Sequence, residues 1–160
     1  MNQTRPVLLA AAFVSLALLG FALYLQHGLD MLPCPLCVLQ RYAFAAVAII
    51  CLVAAGLSPK GQRTGAGLGA LAALAGLATA GWHLWIKAHP NVSCGIDPLE
   101  TSLNTIPTAK LLPFLFQADG LCTTEYAPII GLSIPQWSFI WFALLAIVLG
   151  RAALRRVAAR

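Results

Sequence analysis

At 160 residues, 60% hydrophobic and 9% charged, the chain is far more apolar than the roughly 45 to 50% of a soluble domain, which argues against water as its only solvent. Its net charge of +5 is not a nucleic-acid footprint, because the basic residues are divided among short segments that abut apolar stretches. The composition reads as a single integral membrane domain with no nucleic-acid partner.

Four apolar stretches follow one another, Val7 to Leu25, Tyr42 to Leu57, Ala66 to Ile86 and Ile134 to Leu149. At about 1.5 Å rise per residue, the first and third approach the roughly 30 Å hydrocarbon thickness unaided. The second and fourth gain length from flanking Tyr42, Trp137 and Trp141, which suit the headgroup region, and from snorkelling arginines. These considerations place spans at about 7–26, 40–57, 66–86 and 134–152. The first run is longer than the apolar region of a cleavable signal peptide, which favours its retention. In the third, Gly65-x-x-x-Gly69 and Ala72-x-x-x-Gly76 put small residues one turn apart, a pattern that lets helix backbones approach within lipid.

Charge sets the orientation. Arg5, Lys60, Arg63, Arg151, Arg155, Arg156 and Arg160 fall on one side, whereas all five acids, Asp30, Asp97, Glu100, Asp119 and Glu125, fall on the other with only Arg41, Lys87 and Lys110. The positive side is expected to be cytoplasmic, with both termini there and loops 27–39 and 87–133 outside. Within the longer loop, Ala109 to Phe116 is apolar but too short to span. It is expected either to lie along the membrane surface as a short helix or to pack on the bundle.

Four of the five cysteines lie in these external loops: Cys34 and Cys37 as a Cys-x-x-Cys, and Cys94 and Cys122 further on. None lies in a cytoplasmic segment. In a bacterium the external compartment is oxidising, so the partition favours redox use. Cys37 falls near a helix N-terminus, where backbone N–H groups favour a thiolate, and Pro33 and Pro35 are compatible with a helix start. Zinc is the alternative, with Cys94 and Cys122 completing the half-site, but their spacing of 28 positions lacks a second Cys-x-x-Cys. Covalent haem is disfavoured because Val38 follows Cys37.

Arg41 lies four residues after Cys37 and shares its helix face. It reads as a hydrogen-bond donor to a quinone oxygen or, alternatively, as an anchor snorkelling to headgroups. His83, near the external end of the third span, is a second candidate donor, while Trp82 and Trp85 fit an aromatic belt. Cys51 lies mid-span and reads as a small apolar side chain.

The Cys-x-x-Cys followed by Gln40-Arg41, together with Gly81-Trp82-His83-Leu84-Trp85, Val92-Ser93-Cys94-Gly95, Asp119-Gly120-Leu121-Cys122 and Gly131-Leu132-Ser133-Ile134-Pro135-Gln136-Trp137, resembles the bacterial disulfide bond formation protein B (DsbB) family over essentially the whole chain. The resemblance implies an all-α, four-transmembrane-helix protein of the inner membrane that reoxidises a DsbA-like periplasmic thiol oxidase and passes electrons to membrane quinone, ubiquinone or menaquinone. It further implies a Cys94/Cys122 disulfide attacked by the reduced oxidase at Cys94, exchange with Cys34/Cys37, Cys37 facing the quinone, and Arg41 with His83 as quinone contacts. The family often has Arg before this histidine, where Trp82 stands here. Quinone also suits the energetics: an oxidant at about −120 mV cannot be regenerated by a structural disulfide below about −300 mV.

Overall fold

A computed structural model describes residues 4–89, 96–122 and 124–154; side chains of residues 96–100 are not among them. Among the described residues seven helices follow in order: α1 (Thr4–Gly28), α2 (Pro35–Ala55), α3 (Pro59–Ala88), α4 (Ile96–Thr105), α5 (Pro107–Leu111), α6 (Pro113–Phe116) and α7 (Ile134–Leu154). Four of them, α1, α2, α3 and α7, are long and apolar enough to cross a membrane. The protein is an all-α membrane protein built on a four-helix bundle.

α2 and α3 begin earlier than their apolar runs because their first turns are set by local chemistry rather than by hydropathy. α2 starts at Pro35, with Pro at N1 and the Cys34 side chain accepting from the Cys37 N–H as the cap. Cys37, assigned to loop 27–39 from sequence, therefore sits in the first helical turn. At 21 residues, both α2 and α7 reach about 32 Å, enough to span without help from flanking residues. α3 starts at Pro59 behind Ser58, whose hydroxyl accepts from the Gly61 N–H, and runs 30 residues.

α3 packs closely against α2 and α7, and α1 against α2, while α1 and α7 meet more loosely. The small residues of α3 make the close approach possible. A side chain at Gly65 would run into Ala54, one at Gly69 would press on the Cys51 sulfur and Leu149, and one at Gly76 would enter the Phe142 ring. Phe142 in turn stacks on Phe44, ring centroids 3.9 Å apart, at the centre of the bundle. Large apolar residues on the outer faces remain open, among them Phe13, Val53, Leu71 and Ile147, as expected where lipid rather than water is the surrounding solvent.

The two ends of the bundle are identified by contacts between elements. At one end the Arg63 guanidinium donates to the Ala153 carbonyl, 3.1 Å, joining the start of α3 to the end of α7. At the other, the His27 imidazole donates to the Phe114 carbonyl, 3.1 Å. Arg5, Lys60, Arg63 and Arg151 belong to the first end and Asp30, Asp119 and Glu125 to the second; Arg155, Arg156 and Arg160 lie outside the described residues.

The apolar segment Ala109 to Phe116 is two short helices, broken at Leu112 because Pro113 cannot continue the turn. One face packs inward: Ala109 and Phe116 are buried with Val38, Leu103 and Ala118. Phe116 stacks on Tyr42 at 4.1 Å, and the Tyr42 hydroxyl bonds Thr108 Oγ1 at 2.6 Å. The other face leaves Leu111, Leu112 and Phe114 exposed beside the bundle rim, so the segment is packed on the bundle and apolar outward at once. α4 was not anticipated from sequence.

A dithiol, a histidine and an arginine at a cavity mouth

The N-terminal turn of α2 brings the first pair of sulfurs together. Cys34 Sγ donates to Cys37 Sγ across 3.0 Å, and the Cys37 N–H points back at Cys34 Sγ, 3.4 Å. Both cysteines are free, as is Cys51. The hydrogen bond to Cys37, reinforced by burial, holds the Cys34 thiol well above the ordinary cysteine range. Cys34 is thus the protonated partner and Cys37 the acceptor.

His83 of α3 meets this pair from the side. It is 3% exposed; its Nε2 lies 3.8 Å from Cys34 Sγ and donates to the Cys122 carbonyl at 3.3 Å, while Nδ1 accepts from the Gln40 amide at 3.4 Å. One imidazole therefore touches the segments carrying both cysteine motifs. Gln40 was not singled out among the site residues, although a polar residue inside an apolar span beside Arg41 is a signal that could have found it.

Cys122 is disulfide-bonded and buried in a cluster with Cys34, Leu36 and Ile86. Its segment is held by the backbone: the Asp119 and Gly120 N–H groups both donate to the Pro33 carbonyl, 3.1 and 3.0 Å. Gly120 sits so close to Leu32 and Pro33 that any side chain there would strike backbone. Cys94 lies outside the described residues.

Arg41 is 6% exposed and does not snorkel, which corrects the anchor reading. Its guanidinium donates to Gln26 Oε1 at 2.5 Å, the Leu115 carbonyl at 2.9 Å and the Ala22 carbonyl at 3.4 Å. These bonds tie α2 to α1 and α6, and they satisfy a cation that would otherwise be costly within a membrane.

Cys34, Cys37, Gln40, Arg41, His83 and Cys122 line one cavity of about 270 Å³. Its remaining walls are mostly apolar, from Leu18, Phe21 and Ala22 of α1, Phe44 of α2, and Trp137 and Trp141 of α7. The cavity occupies the seam where α1 and α7 meet loosely. Trp137 is fixed by its indole N–H on the Ile129 carbonyl, 2.8 Å. Trp82 is not part of the lining; it is half-exposed and stacks on Trp85 at 5.0 Å. A basic residue at that position would point away from the cavity. Cys51 belongs to the separate central core and does not join the other sulfurs.

Residues 4–152 match the family model described as disulfide bond formation protein DsbB. The chain is 69% identical over 98% of its length to the disulfide bond formation protein B of Herminiimonas arsenicoxydans, covering 99% of that protein. It is 47% identical to the protein of the same name in Ralstonia nicotianae, with 96% of each chain covered. It is 42% identical to disulfide bond formation protein B 1 of Pseudomonas syringae, covering 97% of this chain and 92% of that one. A helical membrane bundle that places a dithiol beside a second cysteine motif, with these relatives along its full length, belongs to the disulfide bond formation protein B family.

Proposed function

We propose that this protein is a thiol:quinone oxidoreductase of the bacterial inner membrane, which reoxidises a DsbA-like periplasmic thiol oxidase. The reading rests on one observation above all: Cys34, Cys37 and the Cys122 segment meet around His83 at the mouth of a cavity that Arg41 also lines. The positive end of the bundle would face the cytoplasm and the cysteine end the periplasm.

In this reading a thiolate of the reduced oxidase attacks Cys94 of a Cys94–Cys122 disulfide. The resulting mixed disulfide resolves when the oxidase's second thiolate displaces Cys94, so the oxidase leaves oxidised and two thiols remain here. One of these attacks the Cys34–Cys37 disulfide, and a second displacement regenerates Cys94–Cys122 while leaving Cys34 and Cys37 as the dithiol. Two electrons and two protons have then moved inward. The short backbone bonds from Asp119 and Gly120 to Pro33 hold the Cys122 segment near its target, which lowers the entropic cost of the exchange.

The cavity residues fit a quinone. Arg41 and His83 stand at the polar end and aromatic and aliphatic side chains form the walls, and three hydrogen bonds do not exhaust a guanidinium's donors. Bound there, a quinone would supply the two-electron acceptor that protein disulfides cannot. Arg41 would orient it and offset negative charge, His83 would hold or pass a proton at Nε2, and the apolar walls would exclude water.

The test is purified protein mixed with a reduced DsbA-like oxidase and a soluble quinone analogue. Loss of quinone absorbance that disappears in Cys34→Ser, Cys37→Ser and Cys122→Ser proteins supports the reading. A folded parent that consumes no quinone refutes it.

A further inference from the structure

The geometry points to a second use of the same sulfurs: with Cys34 and Cys37 reduced, we infer that Cys34 Sγ, Cys37 Sγ and His83 Nε2 form a binding site for a thiophilic divalent cation such as Zn²⁺ or Cd²⁺, which holds the dithiol out of disulfide exchange. Among the described residues these three atoms all lie within 4.8 Å of one another. Two cysteines and a histidine, with a fourth position left for water, are an established donor set for zinc.

The distances place the pair between two outcomes. With metal–sulfur bonds of about 2.3 Å and metal–nitrogen bonds of about 2.0 Å in a tetrahedron, two sulfurs sit about 3.8 Å apart and a sulfur and nitrogen about 3.5 Å apart. The Cys34 to His83 separation of 3.8 Å already suits this, and the sulfurs at 3.0 Å need to open by somewhat less than 1 Å. Closing by a similar amount makes a disulfide instead. The same turn of α2 thus serves either product, and oxidation abolishes the cation site because the two thiolate ligands become one bond.

Charge and protons balance. Entry of one divalent cation expels the thiol proton that Cys34 donates to Cys37, and two thiolates with one dication leave the buried site neutral, which avoids the cost of an uncompensated charge at 2 to 3% exposure for Cys34 and His83. For Nε2 to bind metal, the imidazole proton must sit on Nδ1 and the bond to the Cys122 carbonyl must be given up. Gln40, whose amide lies 3.4 Å from Nδ1, can accept that proton's hydrogen bond through its oxygen after a half-turn of the amide. It would then be the outer partner that ligating histidines characteristically have. The binding needs only that Cys34 and Cys37 be reduced and does not depend on the identity of the electron acceptor.

The experiment uses the full-length protein in detergent without oxygen, with Cd²⁺ as the probe. Reduced protein is expected to retain one equivalent through desalting, with a thiolate-to-metal absorption band and release of the Cys34 proton, and protein holding a Cys34–Cys37 disulfide to retain none. Cys94→Ser/Cys122→Ser protein should bind as the parent does, and His83→Ala should bind at least tenfold more weakly. Failure of the reduced parent to retain Cd²⁺, or loss of retention in the Cys94→Ser/Cys122→Ser protein, overturns the inference. So does a folded His83→Ala protein with unchanged affinity. X-ray absorption of the Zn²⁺-loaded parent gives a check that needs no variant at position 83: two sulfurs with an imidazole are expected, and a shell without imidazole contradicts the site. None of these readouts involves quinone or the thiol oxidase.

Discussion

Replacing Gly120 with alanine perturbs the approach of the two cysteine motifs without touching a sulfur. The added methyl would strike the Leu32 carbonyl oxygen and lie 2.9 Å from the Leu32 carbonyl carbon and 3.2 Å from that of Pro33. All three atoms are backbone, so the strain is not relieved by a rotamer change and the segment must move outward by several tenths of an ångström. That movement stretches the two bonds that Asp119 and Gly120 donate to Pro33. At about 0.5 to 1.5 kcal/mol each, their loss disfavours the docked segment by roughly 1 to 3 kcal/mol, equivalent to a population change of about 5- to 150-fold. Quinone reduction driven by the reduced thiol oxidase should fall within that range. Reduction of the Cys34–Cys37 pair by a small dithiol, which bypasses Cys122, should change less than about twofold. A Gly120→Ala protein that turns over with the oxidase at the parent's rate would refute the claim that this docking governs exchange.

Three further outcomes follow from the same geometry. Arg41→His removes the fork that bonds Gln26, Leu115 and Ala22; a folded variant should show a quinone KM at least about tenfold higher, roughly 1.4 kcal/mol, and an unchanged KM would remove Arg41 from quinone binding. Gly76→Ala drives a methyl into the Phe142 ring, so thermal unfolding in detergent should register a loss of about 1 to 3 kcal/mol, partly recovered by adding Phe142→Leu. Because the Cys34 thiol is held above the ordinary range, it should stay protonated and resist alkylation from roughly pH 7 to 9 while half-buried Cys37 is labelled; Cys34 labelling that climbs through that window, as for an ordinary thiol with a pKa of about 8.5, would contradict its role as hydrogen donor.

Much of the bundle was legible because lipid imposes long apolar helices and because the charges sort to opposite ends. The small-residue face of α3 likewise has the partners its spacing implied, in Ala54, Cys51, Leu149 and Phe142. Helix starts were less legible. α2 begins at Pro35, ahead of its apolar run, since a proline and a capping cysteine sulfur determine it locally. α4 escaped notice because its sequence is too polar to register as a span and its packing through Leu103 is tertiary. At the site, the pairing of Cys34 with Cys37 and the shared face of Arg41 follow from helical spacing. The burial of Arg41 does not, since its acceptors come from α1 and α6, whose approach no local pattern encodes. The docking of Cys122 rests on backbone bonds from Asp119 and Gly120 to Pro33. Backbone groups are common to every residue, so the sequence carries little trace of that contact beyond the glycine itself.

The central claim, that electrons pass from the Cys122 motif inward to Cys34 and Cys37, is most directly tested by trapping thiols after a single transfer. Fully oxidised protein without quinone receives one equivalent of reduced thiol oxidase, is quenched with an alkylating agent under denaturing conditions, and is digested for mass analysis. The account predicts label on Cys34 and Cys37 with Cys122 still in a disulfide, the distribution of free and bonded sulfurs that the structure itself carries. Label confined to Cys94 and Cys122, with Cys34 and Cys37 still joined, would contradict it.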